Sequence, residues 1–187
     1  MFSNVSSSKT GKGEEFEEAF CGFSHQDVER KGISARVERD STERFLGFCI
    51  EEVRSFQGQF GWVPDNPNTE FAKIFYNKVR AKLFGSYRNT LRLFVSVGTV
   101  LDYKFGTDFF LDVRGLGSSK VIRIDLTMKN RGKKKGNGDY QPDFSLTPQH
   151  FSHPEQMDRL CDQIALMIKN RVGEEKQERS CKTPRRS

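Results

Sequence analysis

Two apolar stretches constrain this chain more than any other feature. Gly106-Thr107-Asp108-Phe109-Phe110-Leu111-Asp112-Val113 and Val121-Ile122-Arg123-Ile124-Asp125-Leu126-Thr127-Met128-Lys129 are separated by Gly115, Gly117, Ser118 and Ser119. The flanking runs suit strands and the Gly/Ser segment suits a turn, so two neighbouring antiparallel strands are expected. Side chains alternate faces along a strand. Asp125, Thr127 and Lys129 therefore share one face, and Ile124, Leu126 and Met128 the other. Asp108, at the start of the first strand, can meet Asp125 across the ladder. Two carboxylates and an ammonium on an apolar sheet are costly to bury without a metal ion or another charged partner.

A chain of 187 residues is long enough for one sizeable core. Seventeen Phe against four Tyr and one Trp indicate that this core is rich in phenylalanine. The net charge of +6 favours an anionic partner, nucleic acid first. Cys21, Cys49, Cys161 and Cys181 are widely spaced with no CxxC pair, which argues against structural zinc. His150 and His153 lack an evident third ligand and read as a loop and a helix start. The cysteines are expected to stay reduced inside a cell, in the cytoplasm or associated with the nucleoid. Neither a signal peptide nor a run of about twenty apolar residues is evident, so no membrane span or membrane partner is expected.

Along the chain, residues 1–12 read as a flexible terminus and 13–67 as a helical region. Phe16, Phe20 and Phe23 mark a first amphipathic helix that Gly32 ends or interrupts. Ser41-Thr42-Glu43 can start a second, with Phe45, Phe48, Cys49 and Val53 as its stripe. Gly58 to Asn68 reads as a loop in which Trp62 is a hydrophobic plug rather than an exposed stacking surface. Asn68 or Thr69 can cap a helix reaching Phe84, its stripe being Phe71, Ile74, Phe75, Val79 and Leu83. Its Lys73, Lys78, Arg80 and Lys82 read as a solvated basic face more readily than as phosphate contacts. Leu91–Val97 reads as a strand, and Val100–Phe105 as its extension or a second arm beyond a bend at Gly98. After the two central strands, residues 130–138 form a basic loop with Arg131, Lys133, Lys134 and Lys135, placed to meet a backbone phosphate. Pro154 fits the first turn of a last helix striped by Met157, Leu160, Cys161, Ile164, Ala165 and Ile168. Residues 174–187 read as a flexible basic tail.

The order helix, strand, strand, strand, helix, with Gly106-Thr107-Asp108 and Ile124-Asp125-Leu126-Thr127-Met128-Lys129, resembles the PD-(D/E)xK nuclease superfamily over about Glu70 to Val172. The resemblance implies an α/β fold with a central mixed β-sheet flanked by helices, restriction-endonuclease-like. Residues 68–173 would be the nuclease-like core, preceded by an N-terminal helical extension. It implies a metal-dependent nuclease hydrolysing DNA, more readily than RNA, with Mg²⁺ or Mn²⁺ on Asp108 and Asp125. Members of the superfamily can act as homodimers. By the same resemblance Lys129 positions or activates the attacking water, and Glu70 is the acid from the preceding helix. The family's last element is acid-x-Lys, whereas Thr127 stands two residues after Asp125 and Lys129 a further two along. The general base is thereby left open, and so is a catalytically inactive, nuclease-like nucleic-acid-binding protein.

The residues also have plainer readings. Asp108 can cap the turn after Gly106-Thr107, and Asp125 and Lys129 can form a same-face ion pair. Asp112 is either solvent-facing or a third acid near the site. Glu70 in a first helical turn interacts favourably with the helix dipole. Glu14, Glu15, Glu17 and Glu18 are another source of the helix acid, although a solvated face is the simpler reading. An interaction module for an acidic protein is a third functional alternative.

Overall fold

The protein is described by a computed structural model over residues 12–30, 43–114, 119–128 and 141–182. Four strands form one sheet in sequence order: β1 Leu91–Val95, β2 Phe109–Arg114, β3 Ser119–Leu126 and β4 Phe144–Leu146. β1–β2 and β2–β3 are antiparallel, and β3–β4 is parallel. The two stretches that open the sequence analysis are β2 and β3, registered from Phe109 opposite Ile124 to Arg114 opposite Ser119. The turn residues 115–118 lie outside the described residues.

Alternation along these strands builds a core on each face. Phe109, Leu111 and Val113 join Ile122, Ile124 and Leu126 in the larger core, with side chains from α1 (Lys12–Cys21), α4 (Glu70–Lys82) and α8 (Pro154–Lys182). Phe94 and Phe110 face the smaller core, completed by α3 (Glu43–Phe56) and α6 (Val100–Phe105). The architecture is thus α/β, with a mixed sheet between helices. Phenylalanine dominates the packing as expected. Phe20 stacks on Phe109 at 4.7 Å between ring centres, and Phe94 on Phe110 at 5.2 Å.

The N-terminal helices are built into this core rather than appended to it. Phe16 and Phe20 lie in the larger core and Cys49, Val53 and Phe56 in the smaller one. The first helix ends at Cys21, not near Gly32. Gly22 takes a left-handed φ of 79° and its N–H returns 2.7 Å to Glu18 O, a conformation that glycine adopts without steric cost. A short helix, α2 (His25–Arg30), follows. Phe48 and Ile74 are exposed and leave their expected stripes.

Val100–Phe105 is helical, not a strand. Asp102 Oδ2 accepts from Gly98 N at 2.8 Å, and Gly106 closes the helix in the left-handed region at φ 57°. A six-residue segment holds under two helical turns, so its periodicity is unreadable from sequence. Gly98 itself sits at φ 75°, and a Cβ there would lie 3.0 Å from Val28 Cβ on α2. Gly98→Ala is therefore expected to cost about 2–5 kcal/mol, from left-handed strain plus overpacking. Urea unfolding checks it, and a loss below about 1 kcal/mol would contradict the close approach.

The outer edge of β1 is sealed by the segment before α4 and by α4 itself. Gln57 donates to Val95 O at 2.7 Å and accepts from Val95 N at 2.9 Å. Trp62 Nε1 donates to Leu93 O at 2.7 Å, Leu93 N donates to Pro64 O at 2.7 Å, and Tyr76 Oη donates to Leu91 O at 3.0 Å. Trp62 is buried, as a plug should be. Thr69 caps α4 by accepting from Ala72 N.

Two of the four basic residues of α4 pair with acids of α8. Lys78 reaches Asp158 at 2.6 Å and Lys82 reaches Asp162 at 2.9 Å. The buried stripe of α8 is the expected one, with Ala165 only partly buried. Its helix continues past Gly173 to Lys182, where an open tail was expected. Residues 183–187 lie outside the described residues, as do 1–11. The short β4 and α7 (Pro148–Ser152) carry too few residues for a sequence signal. His150 closes a capping box with Thr147. Cys21, Cys49 and Cys161 are buried free thiols, and burial pushes Cys49 up to about 11 and Cys161 up to about 12. Among the described residues no helix is long and apolar enough to cross a membrane.

Candidate functional site

Asp108 stands one residue before β2, with its backbone held from both sides. Its N–H donates to Ile124 O at 3.0 Å, and its carbonyl accepts from Ser96 N at 2.8 Å. Its side-chain Oδ2 accepts from Leu126 N. Continuing the β2–β3 register by one step sets Asp108 opposite Asp125. The two acids are 4% and 8% exposed. Both line a cleft of about 490 Å³ at this end of the sheet, together with Thr127, Glu17, Asp102 and Tyr103. Thr127 is placed by its N–H, which donates to Leu146 O of β4 at 3.0 Å.

Two of these acids come from helices on opposite sides of the sheet. Phe16 and Phe20 anchor α1 in the larger core, which carries Glu17 to the cleft. Val100, Leu101 and Phe105 anchor α6 in the smaller core and bring Asp102 there. His25 joins the pair. Its Nε2 lies 2.9 Å from Glu17 Oε2, and its Nδ1 lies 3.2 Å from Tyr103 Oη and 3.6 Å from Asp102 Oδ2.

The crowding shows in the acidities. Burial pushes the Asp108 carboxyl well above the usual carboxylate range, with Asp102, Glu17 and then Asp125 adding repulsion against the Leu126 hydrogen bond. Burial also raises Asp102, opposed by bonds from Gly98 N and Asp108 and by the nearby His25. His25 is raised chiefly by its bond to Glu17, against burial. These shifts mark a site at which several acids are buried close together, so that the protonated carboxyl forms are favoured.

Of the residues singled out by sequence, Asp108, Asp125 and Thr127 meet in one cleft. Glu70 does not join them. It is exposed in the first turn of α4 and is not part of the cleft lining, which suits its dipole role. Asp112 is neither solvent-facing nor part of the site. It is fully buried, 2.9 Å from Arg54 Nη2 on α3. Lys129 and the loop residues Arg131, Lys133, Lys134 and Lys135 lie outside the described residues.

Sequence reasoning gave Glu17 only as one of four glutamates and missed Asp102, His25 and Tyr103. A signal for Glu17 was present. At roughly 100° per residue, it falls between Phe20 and Cys21 on the wheel of α1, inside the buried arc, whereas Glu15 and Glu18 fall well outside. Asp102 had no such signal, because its segment reads as an extended arm.

The donor set is all oxygen, which suits a hard divalent cation such as Mg²⁺ or Mn²⁺. Among the described residues, no three His, Cys, Asp or Glu side chains stand in an arrangement able to hold an ion. Magnesium commonly takes one or two carboxylates and retains water for the remaining positions. Comparison of the chain with protein families, curated proteins and solved structures finds no match.

Proposed function

We propose that this protein is a metal-dependent nuclease of restriction-endonuclease-like architecture that hydrolyses phosphodiester bonds in DNA. One observation carries the reading. Asp108 and Asp125, from adjacent antiparallel strands, line one cleft with Glu17 and Asp102, and burial beside these acids holds the Asp108 carboxyl well above the usual carboxylate range. A mixed sheet whose first three strands form an antiparallel meander between helices is compatible with that architecture. The net positive charge of the chain suits a polyanionic substrate.

Asp108 and Asp125 would hold the cation. When bound, the cation supplies a more acidic water and counter-charge for the phosphate oxygens. Glu17 brings a further acid from α1 to the cleft wall, kept in place by His25. The Thr127 hydroxyl, at the cleft wall, orients water or a ligand carboxylate. Lys129, two residues along the chain, provides the cation that neutralises developing charge. Arg131, Lys133, Lys134 and Lys135 hold the DNA backbone.

Cleavage of plasmid and oligonucleotide DNA in Mg²⁺ or Mn²⁺, with EDTA as the control, tests the reading. Asp125→Ala is expected to abolish cutting while circular dichroism stays native, and undiminished cutting would refute its role. Glu17→Gln and Glu70→Gln separate the two candidates for the helix acid. Glu17→Gln is expected to slow cleavage by about 10- to 100-fold and Glu70→Gln to leave it unchanged. The reverse pattern would return the role to α4. Thr127, where the resembled motif places lysine, favours a second reading, in which the same surface binds nucleic acid without cutting it. Salt-sensitive DNA binding without cleavage in either metal selects that reading.

A further inference from the structure

Tyr103 has a geometry that the hydrolytic site does not require. It lines the acidic cleft beside Asp102, yet it is 60% exposed. Its neighbours Val100, Leu101 and Phe105 commit the other side of α6 to the core. The ring nevertheless has a defined anchor. The Tyr103 Oη lies 3.2 Å from His25 Nδ1, and the two ring centres are 5.6 Å apart with planes tilted by 50°. An aromatic ring on the rim of a cleft, tethered at its polar end, has given up rotamer freedom before any ligand arrives. The second exposed apolar side chain on the cleft, Met128, adds to the same non-polar rim above a carboxylate floor.

We infer that Tyr103 is a nucleobase-stacking platform, and that the substrate class is DNA with an unpaired nucleotide at the site: a single strand, a frayed end or a loop. The inference rests on the nuclease reading for the chemistry on the cleft floor. A base held in a duplex has both faces covered by its neighbours and offers nothing to a rim aromatic. An unpaired base offers a free face, and stacking tolerates any sequence because every base has a π-face. Forcing the same contact from a duplex requires unstacking and unpairing first. A phosphate followed to the acids would carry its own base past the rim, where Tyr103 stands.

The hydroxyl tether provides the control. If Tyr103 served only to hold His25, removing its oxygen would matter as much as removing its ring. The experiment is a titration of a short single-stranded oligonucleotide containing 2-aminopurine, and of its duplex, with the full chain in Ca²⁺, beside a cleavage assay in Mg²⁺. The wild type is expected to prefer the single strand. Tyr103→Ala is expected to weaken single-strand binding by about 5- to 100-fold and duplex binding by less than about twofold. Tyr103→Phe and Tyr103→Trp are expected to keep affinity within about threefold of the wild type and to preserve 2-aminopurine quenching.

Equal wild-type affinities for the two forms would overturn the inference, as would an unaffected Tyr103→Ala or a Tyr103→Phe as weak as Tyr103→Ala. So would the absence of binding to either form. The cleavage arm separates this inference from the reading beneath it. Single-strand binding that depends on the Tyr103 ring, without cutting in Mg²⁺, upholds the platform and rejects hydrolysis. Duplex cutting indifferent to Tyr103→Ala upholds hydrolysis and rejects the platform.

Discussion

Asp108→Asn is expected to melt at a higher temperature than the wild type at neutral pH in EDTA, and to cut DNA at least about 100-fold more slowly. The two effects share one cause. The wild-type carboxyl is buried beside Asp102 and Glu17, so it retains its proton in the fold at pH values where the unfolded chain has released it. A folded state that binds more protons than the unfolded state loses stability as pH rises. For Asp108 and Asp102, both raised, the loss begins near the ordinary carboxylate pKa of about 3.9 and continues until each raised value is passed.

Asparagine removes the charge and keeps the useful contacts. Its amide oxygen still accepts from Leu126 N, and its NH₂ can donate towards Asp102, with which Asp108 shares a hydrogen bond. Each kcal/mol of relieved repulsion raises Tm by about 2–4 °C in a chain of this size. Divalent cations should stabilise the wild type by about 2.7 kcal/mol at a hundred times their Kd, and should do much less for the variant. Thermal melts across pH, with and without Mg²⁺, check the whole pattern. A variant that melts below the wild type at pH 7 would show that Asp108 contributes more as an anion than it costs.

The largest expected loss of stability lies farther along β2, on the same face of the sheet. Asp112 is fully buried on β2, and the Arg54 guanidinium of α3 faces it at 2.9 Å. Arg114 is 3.7 Å away but largely exposed, so it screens poorly. Arg54→Met would leave a buried carboxylate without its main counter-charge, at a cost of about 3–5 kcal/mol, or roughly 6–20 °C in Tm. The double variant Arg54→Met/Asp112→Leu is expected to recover most of that loss, because well-packed apolar groups often replace a buried ion pair without penalty. Denaturant unfolding of the single and double variants measures both terms. A single variant within about 1 kcal/mol of the wild type would mean that Arg114 or water reaches Asp112.

The sheet was legible because β2 and β3 are apolar runs separated by turn-forming residues, so their antiparallel pairing and the meeting of Asp108 with Asp125 could be read from the sequence. Asp112 shows the limit of that logic. The two-residue period puts it on the face of Asp108, but a position farther along the strand lies under a different helix, and only the placement of α3 reveals Arg54 there. Glu70, on the helix that precedes β1 in sequence, stays outside the cleft, whereas α1 reaches it with Glu17. Asp102 and His25 belong to helices of six residues, too short to declare a face. Phe48 and Ile74 fit helical spacing but stand where no partner layer among the described residues covers α3 or α4.

The hydrogen bonds of Gln57, Trp62, Pro64 and Tyr76 to Leu91, Leu93 and Val95 bear on assembly as well as on folding. Polypeptide rims left open recruit foreign strands, which is how many chains anneal into continuous ribbons or fibres. Here that flank is already spoken for, so two copies of the chain cannot fuse their sheets through β1. Self-association, if it serves the activity, must use a helical surface or the opposite flank.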